Sequence, residues 1–470
     1  MIDLKFRTAS QEIQEISVQY SLPFRVSLTK QAHFARIRIC RLQILLILTY
    51  MIEPPVPRIV PRSEHSISRR NIDPDALKVL YRLWDHGFVS YLVGGCVRDL
   101  LLEKTPKDFD IATDAHPHQI KEIFRNSRLI GRRFRIAHVF FRGGKFLEVS
   151  TFRRKSEFEE EEENPHPQGE NTFGTPAEDA LRRDITINGI FYNPRDFSLI
   201  DYVGGLEDLQ NGIIRCIGDP DEKFHQDPVR MIRVVRHAAR TGFRIEERTL
   251  HSLFRYLSEL DLCSRSRVRD EFLRDLCEGS AEVSLRLMKK TGLLTVLFPP
   301  LNHLPEETAP EEFFFNTLKA IDARSAQGNP FTPEFSLTVF LLPFLFAGVP
   351  WEDLPPGRRG FALFRDRVRA WVTEVFGPFQ FTHRAKEMAI DLLSAQRVFQ
   401  EGLSVQRLPW NFMNRSFFPG AKLLFEIGYR AAGEDPGALD WQTEEKKAGQ
   451  RKKRRRWRKR PKPQPPPPEQ

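Results

Sequence analysis

The stretch from Val89 to Ala112 constrains the fold of this chain more than any other. Val89–Val93 is a short apolar run that enters Gly94 and Gly95, Val97–Leu102 then places apolar residues at helical spacing, and Phe109–Ala112 returns to an apolar run. Two adjacent glycines free the backbone from the limits a side chain sets, so the stretch predicts strand, glycine turn, helix, strand. A turn of this kind opening a helix is also a place where main-chain N–H groups can approach a phosphate.

The flanking sequence extends this unit into a domain. Upstream, Asp73 can cap a helix with Pro74 at its first position and Ala76, Leu77, Leu80, Tyr81 and Trp84 on one face, stopping at Gly87. Downstream, Ile136–Phe141 and Phe146–Phe152 predict two strands joined at Gly143 and Gly144, a hairpin signal of the primed-turn type. Between Arg153 and Pro176 the chain turns polar, with a glutamate run Glu159–Glu163, and predicts a mobile loop. From about residue 205 strand signals fade and helical periodicity takes over, as in Val229–Ala239, Val268–Leu276, Val283–Leu294 and Arg384–Phe399. The expected fold class is α+β, a mixed-sheet head over residues 58–204 followed by an all-helical half, with no internal repeat.

Charge is unevenly placed. The chain carries a net +10, yet Lys446–Lys462 alone holds twelve Lys and Arg and no acid, leaving the remainder nearly neutral. Such an appendage points to a polyanion, either nucleic acid or an anionic membrane surface met peripherally. Residues 441–470, basic and then Pro-rich, are expected to be disordered, and residues 1–57 to be a poorly ordered or mis-annotated extension with Met51 as an alternative start. Within it, Leu42–Ile52 is about half the length of a spanning helix, so no transmembrane segment is expected. Five scattered cysteines without a C-x-x-C pair argue against a disulfide framework or zinc knuckle and fit a reducing cytoplasm.

Asp108 and Asp110 are spaced i, i+2, so on a strand both carboxylates leave the same face and can share hard divalent cations, Mg²⁺ or Mn²⁺. Alone, such a pair is more often a solvated strand end. Arg98, one turn into the helix after Gly94 and Gly95, can reach a phosphate oxygen, so one turn-helix-strand unit supplies both halves of a nucleoside triphosphate site. Glu148, on a strand next to the one bearing the pair, either aims at the same cleft or is a hairpin charge paired with Arg153 or Arg154.

The run LVGGCVRDLLLEKTPKDFDIAT resembles the signature of the class II nucleotidyltransferases, the tRNA nucleotidyltransferase and poly(A) polymerase family of the DNA polymerase β superfamily. The likeness continues in the family's order through Glu148-Val-Ser-Thr-Phe-Arg153, Arg182-Arg-Asp-Ile-Thr-Ile-Asn188 and Asp227-Pro-Val-Arg230-Met-Ile-Arg233-Val-Val-Arg236, covering about residues 58–300. It implies that Gly94, Gly95 and Arg98 contact the triphosphate of ATP and that Asp108 and Asp110 are catalytic metal ligands. Asp184 is implied as the third acidic residue, and whether Asp184 or Glu148 completes the metal shell stays open. Arg183 and Asn188 are implied to hold sugar and phosphates, with helix caps and turn bonds as their ordinary alternative. Asp227 and Arg230, read as i, i+3 on one helix, would present a fixed edge of acceptor and donor to a base. Gln226 stands where the family has glutamate, which removes one charge beside that edge. Arg233 and Arg236 continue in three-residue steps toward the triphosphate or the RNA backbone.

The same resemblance implies a head (58–204), a neck with the base-selecting helix (205–285) and an RNA-binding body and leg (286–440). The implied activity is template-independent transfer of AMP from ATP to RNA 3′ ends, that is, polyadenylation in mRNA processing and decay and an activity linked to transcription, with CCA addition to tRNA as the alternative. Gly131-Arg-Arg-Phe-Arg-Ile-Ala-His-Val139 is similar to the bacterial, poly(A)-adding branch, and the basic tail suits sequence-independent contact with RNA. His138 in that motif is either a general base or a hydrogen-bonded structural histidine.

Overall fold

The computed structural model describes residues 56–131, 135–154, 173–302, 311–403, 407–438 and 441–443. Leu42–Ile52, Glu159–Glu163, Lys446–Lys462, and Arg132, Arg133 and Phe134 of the motif above therefore lie outside the described residues.

One eight-stranded mixed sheet organises the first half. Its strands are β1 (Arg58–Val60), β2 (Ser90–Val93), β3 (Asp110–Thr113), β4 (Ser127–Ile130), β5 (Ile136–Phe140), β6 (Phe146–Thr151), β7 (Ile190–Asn193) and β8 (Ser198–Asp201), in the order β1-β8-β7-β2-β3-β6-β5-β4. β3 and β6 run parallel and every other neighbouring pair antiparallel. The parallel pair needs a crossover, which the chain supplies through a helix and the two outer strands.

Period-two alternation gives the sheet two unlike faces. Leu92, Ile111, Val139, Val149 and Tyr192 pack beneath helices α1 (Pro74–Asp85), α2 (Gly95–Leu101) and α3 (Pro117–Ile123) through Val79, Leu80, Leu83, Val97, Leu100 and Ile120. On the opposite face Val93, Ala112, Phe152, Phe191 and Ile200 meet Ala180 of α4 (Pro176–Leu181). The α1 cap forms as its sequence suggests, Asp73 accepting from the Asp75 N–H at 2.8 Å with Pro74 in the first turn. At the β5–β6 hairpin Gly143 and Gly144 both lie at φ +79°.

Beyond the sheet come α5 (Gly205–Asn211), α6 (Pro220–Gln226), α7 (Val229–Thr241), α8 (Glu247–Tyr256), α9 (Arg265–Cys277), α10 (Ala281–Lys290) and α11 (Leu293–Leu297), then longer helices including Glu311–Ala326, Gly357–Phe376 and His383–Leu403. The single helix expected over Val283–Leu294 is in fact two, because Gly292 adopts φ +78° and turns the chain between α10 and α11. One continuous hydrophobic cluster runs from Ile185 and Ile187 of the head through Val234, Phe272, Phe340 and Phe376 to Phe399 and Ile427. Among the described residues no helix is long and apolar enough to cross a membrane.

Candidate active site

A cleft of about 470 Å³ opens where the glycine turn, the start of β3 and the first turns of α7 come together. Gly94 enters α2 at φ +76°, ψ −140°, and a Cβ there would stand 3.2 Å from Arg183 Nη1 and 3.6 Å from Asp110 Oδ2. The backbone angle therefore demands glycine, and the main chain lies close against a guanidinium and a carboxylate. Gly94→Ala is expected to cost about 1–3 kcal/mol through backbone strain. Thermal melts check this against Gly377→Ala, whose site has φ −53° and nothing within 4 Å; equal midpoints for the two variants would sink the assignment of strain.

Asp110 is the first residue of β3, so the strand begins one residue later than expected and Asp108 lies in the exposed approach to it. The alternation survives, because Phe109 between them is buried in the core under α1, α2 and α3. In parallel register Asp110 stands opposite Glu148. Burial, and then the charges of Glu148 and Asp108, push the Asp110 carboxyl up to about 6 against the pull of Arg183. On its other side Glu148 meets His138, Nε2 3.3 Å from Oε1. Such crowding of negative charge favours a cation. Among the described residues no three His, Cys, Asp or Glu close into a complete metal shell. The donors fit an open site for a hard cation, in which one or two carboxylates bind and water or phosphate oxygens fill the other positions.

Asp184 follows α4 and is buried, accepting from Arg233 Nε at 2.8 Å and from the Ile185 N–H at 2.9 Å. Burial alone would raise its carboxyl, but the Arg233 guanidinium holds it well below the usual carboxylate range. Of the two rivals for the third acidic position, Glu148 therefore neighbours Asp110 while Asp184 is engaged by the helix that begins the neck.

The opposite wall is cationic. Arg98 is buried, binds Asp99 through Nε and Nη2, and donates through Nη1 to Asn188 Oδ1 at 2.9 Å. Arg183 donates to Asp179 Oδ2 at 2.9 Å, and Arg233 bridges from Asp184 toward Glu271 at 3.7 Å. Asn188 ends a short 3-10 turn, Thr186–Asn188, that brings its amide to Arg98. His237, which sequence reasoning missed, lies 3.3 Å by Nδ1 from Arg98 Nη1 and 3.9 Å by Nε2 from Asp184 Oδ2. A guanidinium only donates, so Nδ1 accepts from Arg98, while Nε2 lies 3.2 Å from the Asn188 side-chain Nδ2. Burial, with Arg98, Arg233 and Arg236 nearby, keeps the ring well below its ordinary range despite Asp184, so it is neutral. The available signal was spacing: seven residues past Arg230, His237 returns to nearly the same helix face.

Asp227 is not on the helix that carries Arg230. It caps α6 at φ −148°, and Pro228 then starts α7. The pair still meets, Arg230 Nε 3.8 Å from Asp227 Oδ2, which also accepts from Arg267 Nη2 at 2.9 Å. Asp227 Oδ1 and Arg230 Nη1 are both buried without a hydrogen-bond partner among the described residues. A buried acceptor or donor left so costs about 1–3 kcal/mol, which a ligand offering one donor and one acceptor would recover. Arg236 departs from expectation. It turns from the cleft into the packing of α7 on α9, bound to Asp275 Oδ1 at 2.8 Å and to the Glu271 main-chain oxygen at 2.9 Å.

Comparison with known proteins agrees with this geometry. The pattern described as "Poly A polymerase head domain" matches residues 90–215, and "Probable RNA and SrmB- binding site of polymerase A" matches residues 242–304. Poly(A) polymerase I of Salmonella typhi is 42% identical over 310 residues, 64% of this chain and 64% of that enzyme. The chain thus spans about 64% of the length of this relative. A CCA-adding enzyme of Lactobacillus helveticus is 39% identical over 200 residues, 42% of this chain and 49% of its own. The Thermotoga maritima CCA-adding enzyme complexed with tRNA superposes with a TM-score of 0.52 at 23% identity, over 79% of this chain and 82% of its own, a likeness of fold.

Proposed function

Because the chain belongs to the class II nucleotidyltransferase family of poly(A)- and CCA-adding enzymes, we propose that it transfers AMP from ATP to RNA 3′ hydroxyls without a template. The observation that carries the reading is the meeting, in one cleft, of the Asp108 and Asp110 carboxylates with Arg98, Arg183 and Arg233 and with the unpartnered edge of Asp227 and Arg230. Asp108 and Asp110, with Glu148 beside them, would hold a divalent cation such as Mg²⁺, which when bound supplies Lewis acidity toward phosphate and hydroxyl oxygens. The glycine turn and the three arginines bind and orient the triphosphate, their positive charge stabilising what accumulates on the departing pyrophosphate. Asn188 and His237 keep the Arg98 guanidinium in place. Asp184 holds Arg233, and through it the start of the neck, against the head.

Asp227 Oδ1 accepts from the base's exocyclic amine while Arg230 Nη1 donates to the adjacent ring nitrogen. Guanine and uracil offer the reverse order of donor and acceptor and are rejected. Adenine and cytosine both satisfy this edge, so CCA addition is kept as the second reading. The longer and closer likeness to poly(A) polymerase I supports adenylate addition. The basic Lys446–Lys462 stretch is read as attraction for RNA of any sequence. The four described cysteines are free, which fits our placing the reaction in a reducing cytoplasm.

The test offers the purified full chain each nucleotide separately, with an unrelated RNA and with tRNA lacking its terminus. Long A tails on both RNAs are expected; CTP incorporation confined to the tRNA would move the assignment to the second reading. Arg230→Ala is expected to raise the KM for ATP about tenfold and to relax rejection of GTP and UTP, since a two-bond base contact discriminates by ~1–3 kcal/mol. Unchanged selectivity in that variant would remove Arg230 from the base edge.

A further inference from the structure

We propose that the outer strands β6, β5 and β4 seat the 3′-terminal nucleotide of the RNA, whose base stacks on the His138–Phe146 pair; this rests on the adenylate-transfer reading above. In-line displacement places the attacking hydroxyl opposite the leaving pyrophosphate. Strand order separates the two sides. The glycine turn and Arg98 follow β2, and Asn188 precedes β7, so these triphosphate-side groups lie on the β7-β2 flank of β3. The hydroxyl must then arrive over the other flank, β6-β5-β4.

That flank is built to receive a base. Register sets Asp110 opposite Glu148, Glu148 opposite His138, and His138 opposite Arg128, one row across four strands on the face away from α1, α2 and α3. In the next row Phe146 stands opposite Phe140. The His138 and Phe146 rings stack at 4.4 Å and 11°, and the Arg128 guanidinium lies 5.9 Å from the Phe140 ring. Their neighbours Ala137, Val139, Leu147 and Val149 fill the core on the other face, so folding does not require aromatics on this one. Yet Phe146 is 45% exposed. His138 stands two strand spacings of about 4.8 Å each from Asp110, and Phe146 one spacing across and two residues along its strand. Every base has a π-face, so such a platform holds a strand end irrespective of sequence. A free 3′ end needs that tolerance, and Arg128 supplies a cation for its phosphate.

The experiment uses the full chain and an RNA oligonucleotide ending in 2-aminopurine, whose fluorescence falls on stacking. Phe146→Ala is expected to raise the KM for RNA about tenfold, to leave the KM for ATP within twofold, and to lose most of the quenching; Phe146→Trp should restore both. An RNA lacking its terminal base should bind the unsubstituted chain and Phe146→Ala equally. Undiminished quenching and an unchanged KM for RNA in Phe146→Ala would overturn the seat while leaving adenylate transfer standing. Should the unsubstituted chain incorporate nothing, the functional reading fails, and the quenching still decides whether a terminal base stacks on Phe146.

Discussion

An Asp110→Asn chain is expected to incorporate no nucleotide above background and to melt no lower than the unsubstituted protein. The first half follows from its proposed place as a cation ligand, the second from its electrostatics. The Asp110 carboxyl is pushed up to about 6 by burial and by Glu148 and Asp108, so its charge is unfavourable until a cation or other positive partner meets it. The unfolded carboxyl ionises near 3.8 and the folded one near 6. Between those values the folded state keeps a proton that the unfolded state has lost, so this group's contribution to stability falls as pH rises through that window. The amide removes that pH dependence together with the ligand. Melting curves between pH 4 and pH 7 with and without magnesium check it: magnesium should stabilise the unsubstituted chain at pH 7 and not the variant. Residual incorporation above a few per cent would remove Asp110 from the centre of the chemistry, and a variant that melts lower would overturn the account of its charge.

Arg236→Ala should be the most destabilising single change in the neck, at about 3–5 kcal/mol, because it strands a charge in a buried pair. The Asp275 carboxylate it contacts is fully buried, and Glu271 pairs with the same guanidinium. Even with Arg236 present, burial outweighs the ion pair and leaves the Asp275 carboxyl at about 6. Replacing both partners, Arg236→Met with Asp275→Leu, is expected to recover most of the loss, since well-packed apolar groups avoid the desolvation penalty. The double variant should also keep the KM for ATP. A single variant that melts normally but binds ATP poorly would return Arg236 to the triphosphate, where its sequence spacing suggested it belonged.

That reversal shows where sequence reasoning reached and where it stopped. The strand, glycine turn, helix and strand were legible because Gly94, Gly95, Asp108 and Asp110 act through local geometry that few other residues permit. The spacing of Arg230, Arg233 and Arg236 was legible too, but its consequence was misread. Three-residue steps on a helix of 3.6 residues per turn drift by about 60° each, so two steps carry Arg236 well off the Arg230 face. Arg230 thus edges the cleft, Arg233 bridges, and Arg236 faces α9. His237 escaped notice because a lone histidine among apolar helical positions reads as core until Arg98 and Asp184, distant in sequence, are brought to its two nitrogens. Asp227 was placed one helix too far in, since Pro228 starts α7 after it rather than continuing a helix through it.

The head lends Ile185 and Ile187 to the same apolar cluster that fills the helical half. The catalytic portion is consequently not a detachable module. A fragment cut near residue 204, the border suggested by the fading of strand signals, would present those two isoleucines to water and lose α7, which carries Arg230, Arg233 and His237. Transplanting the head alone onto another carrier would move the carboxylates without the wall proposed to recognise the nucleotide. A graft that kept the active cleft whole would have to take α7 and its partner α9 along.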